Sequence, residues 1–235
     1  MNTHPALEKT PAYLNVQLGD TRPGWSSSPE GPFVTLSRES GAGGSSLAAI
    51  LADLLSHEQP GSPPWRVIDS DLIDRMLETN GLEPRLARFL PEDSVSELNA
   101  SVGELVGLHP SLWELIRKTH DLMREVARAG HAILVGRGAN FATSSVPNGL
   151  HLRLVASPHH RAAAMARRQG MDIAEAMEFN RRQDAARSRY VRSTFNADVT
   201  SPGGYDLVIN TTTIPLTQAA EMVAALVRSR APATA

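Results

Sequence analysis

The segment Phe33–Ser46, FVTLSRESGAGGSS, decides the fold of this chain. Its first residues form an apolar, β-rich run that is typical of a buried strand, and residues 47–57 have the periodicity of a helix. The glycines at positions 41, 43 and 44 lie between the two. Glycines let backbone amides turn inward, and a helix N-terminus adds N–H groups and the positive end of its dipole. The segment therefore predicts a loop that cradles phosphate, and the alternative is a glycine-rich turn that binds nothing.

This loop departs from the Walker A pattern G-x-x-x-x-G-K-[ST] at two positions. Arg38 stands where the first glycine belongs, and Gly44 stands where the lysine belongs. Ser45 retains the hydroxyl that a Mg²⁺ ion needs. The chain has only two lysines, Lys9 and Lys118, so no neighbouring lysine can replace the missing one locally.

The rest of the chain alternates short apolar runs with helical patterns. Further strands are predicted at 65–68, 131–135, 150–155 and 206–209, and helices at 71–78, 112–129, 158–169, 172–190 and 216–229. Five such strands predict an α/β fold with a parallel sheet covered on both faces. Residues 1–30, rich in proline, glycine and serine, are expected to form a disordered tail, and residues 81–110 a small helical insertion.

Composition excludes several classes of protein. The 235 residues contain no cysteine, so disulfides, thiolate metal sites and a cysteine nucleophile are ruled out, and a cytoplasmic location is the default expectation. No apolar run of about 18 residues is present, and the N-terminus lacks the pattern of a signal peptide, so neither a membrane span nor secretion is expected.

The segment from residue 161 to residue 192 contains eight arginines and only four acidic residues, although the whole chain has a net charge of −2. A local basic segment on an acidic chain suits a small molecule that carries phosphate better than a long nucleic acid. On a helix, Arg182 and Arg189 share one face, while Asp184 and Arg187 form a pair on another. These arginines could clamp two phosphates from a mobile lid. The alternative is a solvated helix with ordinary ion pairs, such as Glu178 with Arg182.

Two loops that follow strands carry further candidates. Arg137 lies between two glycines directly after the third strand, where ligands bind in open α/β sheets, so it is a candidate for a phosphate contact. The alternative is a turn that forms a surface salt bridge. Asp69 and Asp71 follow the second strand and could serve Mg²⁺ or a substrate ribose, with helix capping the favoured role for Asp71.

Five segments in this order, VTLSRESGAGGSSLA, VIDSDLID, AILVGRGANF, GLHLRLVASPHHRAAAMARR and NRRQDAARSRYVRSTFNADVTSPGGYDLVINT, resemble the cytidylate kinase-like family of P-loop proteins. The resemblance covers residues 33–227. It implies a three-layer nucleoside monophosphate kinase fold with a five-stranded parallel sheet, a nucleotide-binding insertion at about 70–110 and an arginine-rich lid at about 170–200. The expected domain is 31–230, followed by a tail at 231–235.

The same resemblance implies site residues and ligands. ATP and Mg²⁺ would bind at the glycine loop, Arg137 would hold the acceptor phosphate, and lid arginines would act in catalysis. Asp69 and Asp184 are further candidates for substrate binding. Ser45 is the expected Mg²⁺ ligand. The acid that orients the nucleotide in cytidylate kinases falls at Ala186, which leaves Asp184 as the nearby acid. The predicted loop residues are Arg38, Gly41, Ala42, Gly43, Gly44, Ser45 and Ser46, and the predicted lid arginines are Arg182, Arg187 and Arg189.

Three functions remain open at this point. The first is transfer of phosphate from ATP to a nucleoside monophosphate, with CMP or dCMP as the first candidate. The second, favoured by the glycine at position 44, is a nucleotide-binding module that has lost catalysis. The third is a kinase for a different small acceptor. No long nucleic acid or membrane partner is expected, and the sequence leaves homodimerisation open.

Overall fold

Residues 31–58, 63–69 and 110–230 are described by a computed structural model of the chain. The predicted tails at 1–30 and 231–235, the helix at 71–78 and nearly all of the insertion at 70–110 lie outside these residues. The strands are β1 (Phe33–Arg38), β2 (Arg66–Ile68), β3 (Ala132–Val135), β4 (Gly149–Val155) and β5 (Leu207–Asn210). The helices are α1 (Gly44–Glu58), α2 (Pro110–Ala129), α3 (Ala139–Ala142), α4 (Pro158–Gln169), α5 (Ile173–Phe195) and α6 (Leu216–Arg230).

The five strands form one parallel sheet in the order β2-β3-β1-β4-β5. The first strand lies in the middle, paired with β3 on one side and β4 on the other. Parallel strands buried on both faces have near-continuous apolar sequences, which is why the short runs could be recognised. The predicted five-stranded parallel α/β fold is confirmed, and the loops after β1 and β3 meet at the same edge of the sheet.

Alternate residues of β1 face two separate apolar layers. Val34 and Leu36 are buried against residues of α1 and α6. Phe33, on the opposite face, packs with residues of α2 and with the C-terminal part of α5. The sheet is thus covered by helices on both sides, which fixes α5 across the face that carries Phe33.

Local signals set the ends of α4 and the start of α5. Ser157 caps α4, with Pro158 in the first turn, and Gly170 ends it in a left-handed conformation. Asp172 and Glu175 form a reciprocal capping box at the start of α5. The long helix predicted at 172–190 therefore begins where expected, and it continues to Phe195. In the described part of the chain, no helix has the length and apolar character needed to cross a membrane.

His120 of α2 lies in the apolar layer between the sheet and α5. Its ring stacks on Phe195 with a centroid separation of 4.8 Å, and its Nε2 lies 3.5 Å from the Tyr190 hydroxyl. Burial, helped by the charge of Arg124, lowers the pKa of His120 to about 4. The folded protein therefore holds this imidazole neutral at pH values where the unfolded chain would protonate it.

Acidification should destabilise the fold through this residue. The free energy of unfolding that the neutral His120 contributes is fully present above 6.5, the pKa of this residue in the unfolded chain. It is lost as the pH falls towards 4, by at most about 3 kcal/mol. The variant His120→Phe should lose less free energy of unfolding between pH 7.5 and pH 4.5, measured by urea denaturation. The exposed His57→Gln serves as control. An unchanged pH dependence in His120→Phe would contradict this assignment.

Candidate active site

A cleft of about 110 Å³ opens at the carboxyl ends of β1 and β3, beneath α5. Four arginines and two acids contribute to its lining: Arg38, Arg137, Arg153, Arg187, Glu39 and Asp184. Both acids are already engaged by other groups, as described below. The cleft therefore has an excess of positive charge, which suits an anionic ligand.

The glycine loop joins β1 to α1. Gly41 and Gly43 have φ angles of +79° and +88°, a conformation that favours glycine. A Cβ atom on Gly41 would overlap the carbonyl oxygen of Arg161, so the loop packs directly on the first turn of α4. Thr211 donates a hydrogen bond from its hydroxyl to the carbonyl of Ala42 at 3.0 Å.

The start of α1 offers donors to an anion. Within the described residues, the backbone amides of Gly44, Ser45 and Ser46 have no hydrogen-bond acceptor, as expected for the first turn of a helix. The side chains of Ser45 and Ser46 are exposed there. This arrangement agrees with the predicted phosphate cradle, and it leaves the Ser45 hydroxyl accessible to a metal ion.

Arg161, which lies on α4, contacts both the glycine loop and α5. Its Nη1 donates to the carbonyl of Ser40 at 3.0 Å and to Oδ2 of Asp184 at 2.5 Å, and its Nε lies 3.4 Å from Oε2 of Glu39. Asp184 accepts a hydrogen bond from the Ser40 amide at 2.7 Å, and Glu39 accepts one from the Ala156 amide at 3.0 Å. Asp184 thus tethers α5 to the loop, and its predicted contact with substrate stays a prediction.

The packing of the loop on α4 can be tested at Gly41. The variant Gly41→Ala should destabilise the fold by more than Gly170→Ala, because both glycines have positive φ angles but a Cβ on Gly170 would meet nothing within 4 Å. The control should cost about 1 kcal/mol. Thermal unfolding followed by circular dichroism measures both. Equal losses in the two variants would show that the loop does not press on the Arg161 carbonyl.

Arg137 projects from a strained turn. Its φ angle is +51°, between Gly136 at +88° and Gly138 at +64°, and the residue is 4% exposed. A non-glycine residue in this region is uncommon and costs free energy that the surrounding structure must supply. Arg137 lines the cleft together with Arg38 and Glu39, which immediately precede the glycines of the loop. Residues 41–46 are not part of the lining, so the predicted contact of Arg137 with phosphate stays a prediction.

The three predicted lid arginines lie in different surroundings in the structure. Arg187 lines the cleft and forms an ion pair with Asp184 at 3.5 Å, which is the predicted pair. Arg182 and Arg189 are exposed and do not line this cleft. Glu178 pairs with Arg181, rather than with Arg182 as the alternative reading suggested. The catalytic roles of Arg182 and Arg189 stay predictions.

Sequence reasoning did not single out Arg153. It lies on β4, is only 6% exposed, and contributes to the lining of the cleft. Its guanidinium lies 3.3 Å from the Ser37 hydroxyl and 5.7 Å from the centre of the Tyr205 ring, and no carboxylate of the described residues forms an ion pair with it. The sequence signal that could have identified it is an arginine within a mostly apolar strand, because a buried charge normally needs a partner.

The acids considered for a metal ion are not clustered. Asp69 is exposed at the end of β2, the edge strand, and does not line the cleft. Asp71 lies outside the described residues, as does any contact it makes. Among the residues that the structure describes, no group of three or more His, Asp or Glu side chains could hold a metal ion. The predicted roles of Asp69 and Ser45 remain predictions.

The parallel sheet, the glycine loop after its central strand and the basic cleft beneath α5 define a nucleoside monophosphate kinase-like α/β protein. The sequence profile of the cytidylate kinase-like family matches residues 33–213. This match covers most of the chain, and the protein belongs to that family. The family is one of nucleotide kinases, in agreement with the resemblance noted from the sequence.

Two relatives illustrate the likeness. A cytidylate kinase from Methanothrix thermoacetophila is 29% identical over 179 residues, which cover 76% of this chain and 88% of the relative. The crystal structure of an uncharacterized protein from Eubacterium ventriosum has a TM-score of 0.64 at 16% identity, covering 85% of this chain and 99% of its own. The second likeness is one of fold alone.

Proposed function

We propose that this protein transfers the γ-phosphoryl group of ATP to a nucleoside monophosphate, with CMP and dCMP as the first acceptors to test. The observation that carries the proposal is the excess of arginine in a cleft beside a glycine loop with open amides. Membership of the family supports phosphoryl transfer, and the name of the Methanothrix relative supports a cytidine nucleotide.

The donor would bind at the glycine loop. The residues that fit it are the loop segment 41–46, whose helix-terminal amides are available, and Arg38 beside them. Ser45 would hold Mg²⁺ through its exposed hydroxyl, because an oxygen ligand of this kind suits the ion. When bound, Mg²⁺ neutralises charge on the β- and γ-phosphates.

The acceptor would bind on the opposite side of the cleft. Arg137 and Arg153 are both more than nine-tenths buried and both line it. Arg153 forms no ion pair with a carboxylate of the described residues, and a phosphate monoester could supply such a partner, since guanidinium groups favour bidentate contacts with phosphate. We propose that the two arginines together hold the acceptor phosphate, with Asp69 and Asp184 as secondary candidates for substrate contacts.

The transfer itself needs charge stabilisation and positioning. An oxygen of the acceptor phosphate forms a bond to Pγ, the bond from Pγ to the β,γ-bridging oxygen breaks, and ADP leaves with that oxygen. The acceptor monoester is largely ionised at neutral pH, so no proton must be removed and no general base is required. Arg187, which lines the cleft from the lid helix, would stabilise charge on the transferred group.

The direct test measures ADP release from ATP and Mg²⁺ with CMP, dCMP, UMP, AMP and GMP supplied separately to the full chain. Release that depends on a cytidine nucleotide is the expected result. Release with a different acceptor would correct the substrate. Binding of ATP without ADP release in the presence of any acceptor would favour a nucleotide-binding module without catalysis. The missing lysine is the observation that suggests this alternative.

Alanine variants should separate the roles of the cleft arginines. Arg137→Ala should raise KM for the acceptor, and Arg187→Ala should lower kcat, each by about 10- to 100-fold for the loss of a charged contact. Arg181→Ala is the matched control, because Arg181 lies on the same helix but is exposed and paired with Glu178. Steady-state kinetics of Arg182→Ala and Arg189→Ala test the remaining lid predictions. Three equal, negligible effects at positions 137, 187 and 181 would contradict the proposed site.

A further inference from the structure

The side chain of Arg38 fills the space into which a side chain at position 44 would extend. Arg38 ends β1 and Gly44 begins α1. A Cβ atom built on Gly44 would lie 2.9 Å from Cγ of Arg38 and 3.3 Å from its Cβ and Cδ. Real Cβ atoms do not approach other atoms as closely as 2.9 Å, and these are the near atoms of the arginine, which stay close to the β1 backbone. A side chain at position 44 and the side chain of Arg38 therefore exclude each other.

This exclusion concerns the two positions at which the loop departs from the Walker A pattern. The pattern has glycine at position 38 and lysine at position 44, and this chain has arginine and glycine instead. The two departures are coupled, because a lysine at 44 needs the space that Arg38 fills. Conversely, Arg38 needs a residue without a side chain at 44.

The exchange of a lysine at position 44 for an arginine at position 38 keeps a positive charge at the loop. Arg38 lines the same cleft as Arg137 and Arg187, so its positive charge belongs to the proposed phosphate site. Lys118 does not supply that charge, since it lies on α2 and does not line the cleft. An arginine can bind phosphate oxygens in a bidentate manner, whereas a lysine acts as a point charge.

We infer that Arg38 is the cation that binds the donor phosphates in place of the Walker lysine, and that Gly44 is required because Arg38 covers it. The inference rests on the proposed function, since it names the donor-binding cation of that same site. It also explains why the loss of the lysine does not by itself indicate a loss of nucleotide binding.

The functional test is a double-mutant cycle on the full chain. Arg38→Gly and Gly44→Lys together restore both Walker positions, so their combination should bind Mg·ATP within about fivefold of the unaltered protein, as expected when one cation replaces another. Arg38→Gly alone should weaken binding about 10- to 100-fold, because a charged contact is lost. Gly44→Lys alone should also bind weakly, since the new side chain meets Arg38. Isothermal titration calorimetry measures all four proteins.

Two further variants separate charge from packing. Arg38→Met keeps an aliphatic chain beside Gly44 but removes the guanidinium, so it should lose affinity for Mg·ATP. Gly44→Ala should lower Tm when Arg38 is present and should leave it unchanged or raise it in the Arg38→Gly background, because alanine favours a helix over glycine. The exposed Arg181→Ala controls for removal of a positive charge and should bind Mg·ATP as the unaltered protein does.

The outcomes distinguish this inference from the proposed function. Additive effects of Arg38→Gly and Gly44→Lys, with phosphoryl transfer intact, would overturn the exchange and leave the kinase proposal standing. Recovery of Mg·ATP binding in the double variant, with no transfer to any acceptor, would support the exchange and overturn the kinase proposal. Failure of the unaltered protein to bind Mg·ATP would overturn both.

Discussion

The contacts of Arg161 hold together the parts on which the site depends. One guanidinium bridges Glu39, Asp184 and the Ser40 carbonyl, while the backbone of the same residue touches Gly41. The partners belong to the loop after β1 and to α5, while Arg161 itself lies on α4. Since the Arg161 side chain is only 13% exposed and Asp184 is 28% exposed, solvent screens the pair less than it would a surface salt bridge. The positions of α4 and α5 against the loop are thus set by charge and by steric contact together.

A consequence of this arrangement is the sign of the charge in the cleft. Glu39 and Asp184 face the cleft, but their carboxylates are engaged by Arg161 and by backbone amides. The lining nevertheless contains four arginines and only these two acids. A phosphate is an anion that the geometry of guanidinium favours. Asp184 contacts both the loop and Arg187, so it joins the loop to a residue of the cleft.

The sequence predicted the scaffold well because its signals are local. Apolar runs and helical periodicity located each described strand and nearly every described helix, and Gly41 and Gly43 adopt the positive φ angles that the loop interpretation required. The short helix α3 was not predicted, since four residues are too few for periodicity to show. Long-range contacts were also beyond reach, because Ser40, Arg161 and Asp184 are far apart in sequence. The helical phase placed Arg187 apart from Arg182 and Arg189, but a helix polar on several faces does not reveal which face meets the sheet.

The central claim is that the glycine loop and the arginine cleft bind two phosphorylated nucleotides side by side. The most direct measurement is the affinity, by isothermal titration calorimetry, for a bisubstrate analogue in which adenosine and cytidine are joined through five phosphates. If both subsites are occupied at once, the analogue should bind at least about 100-fold more tightly than ATP or CMP alone, because the second contact becomes intramolecular. An affinity no greater than that of ATP would contradict the account.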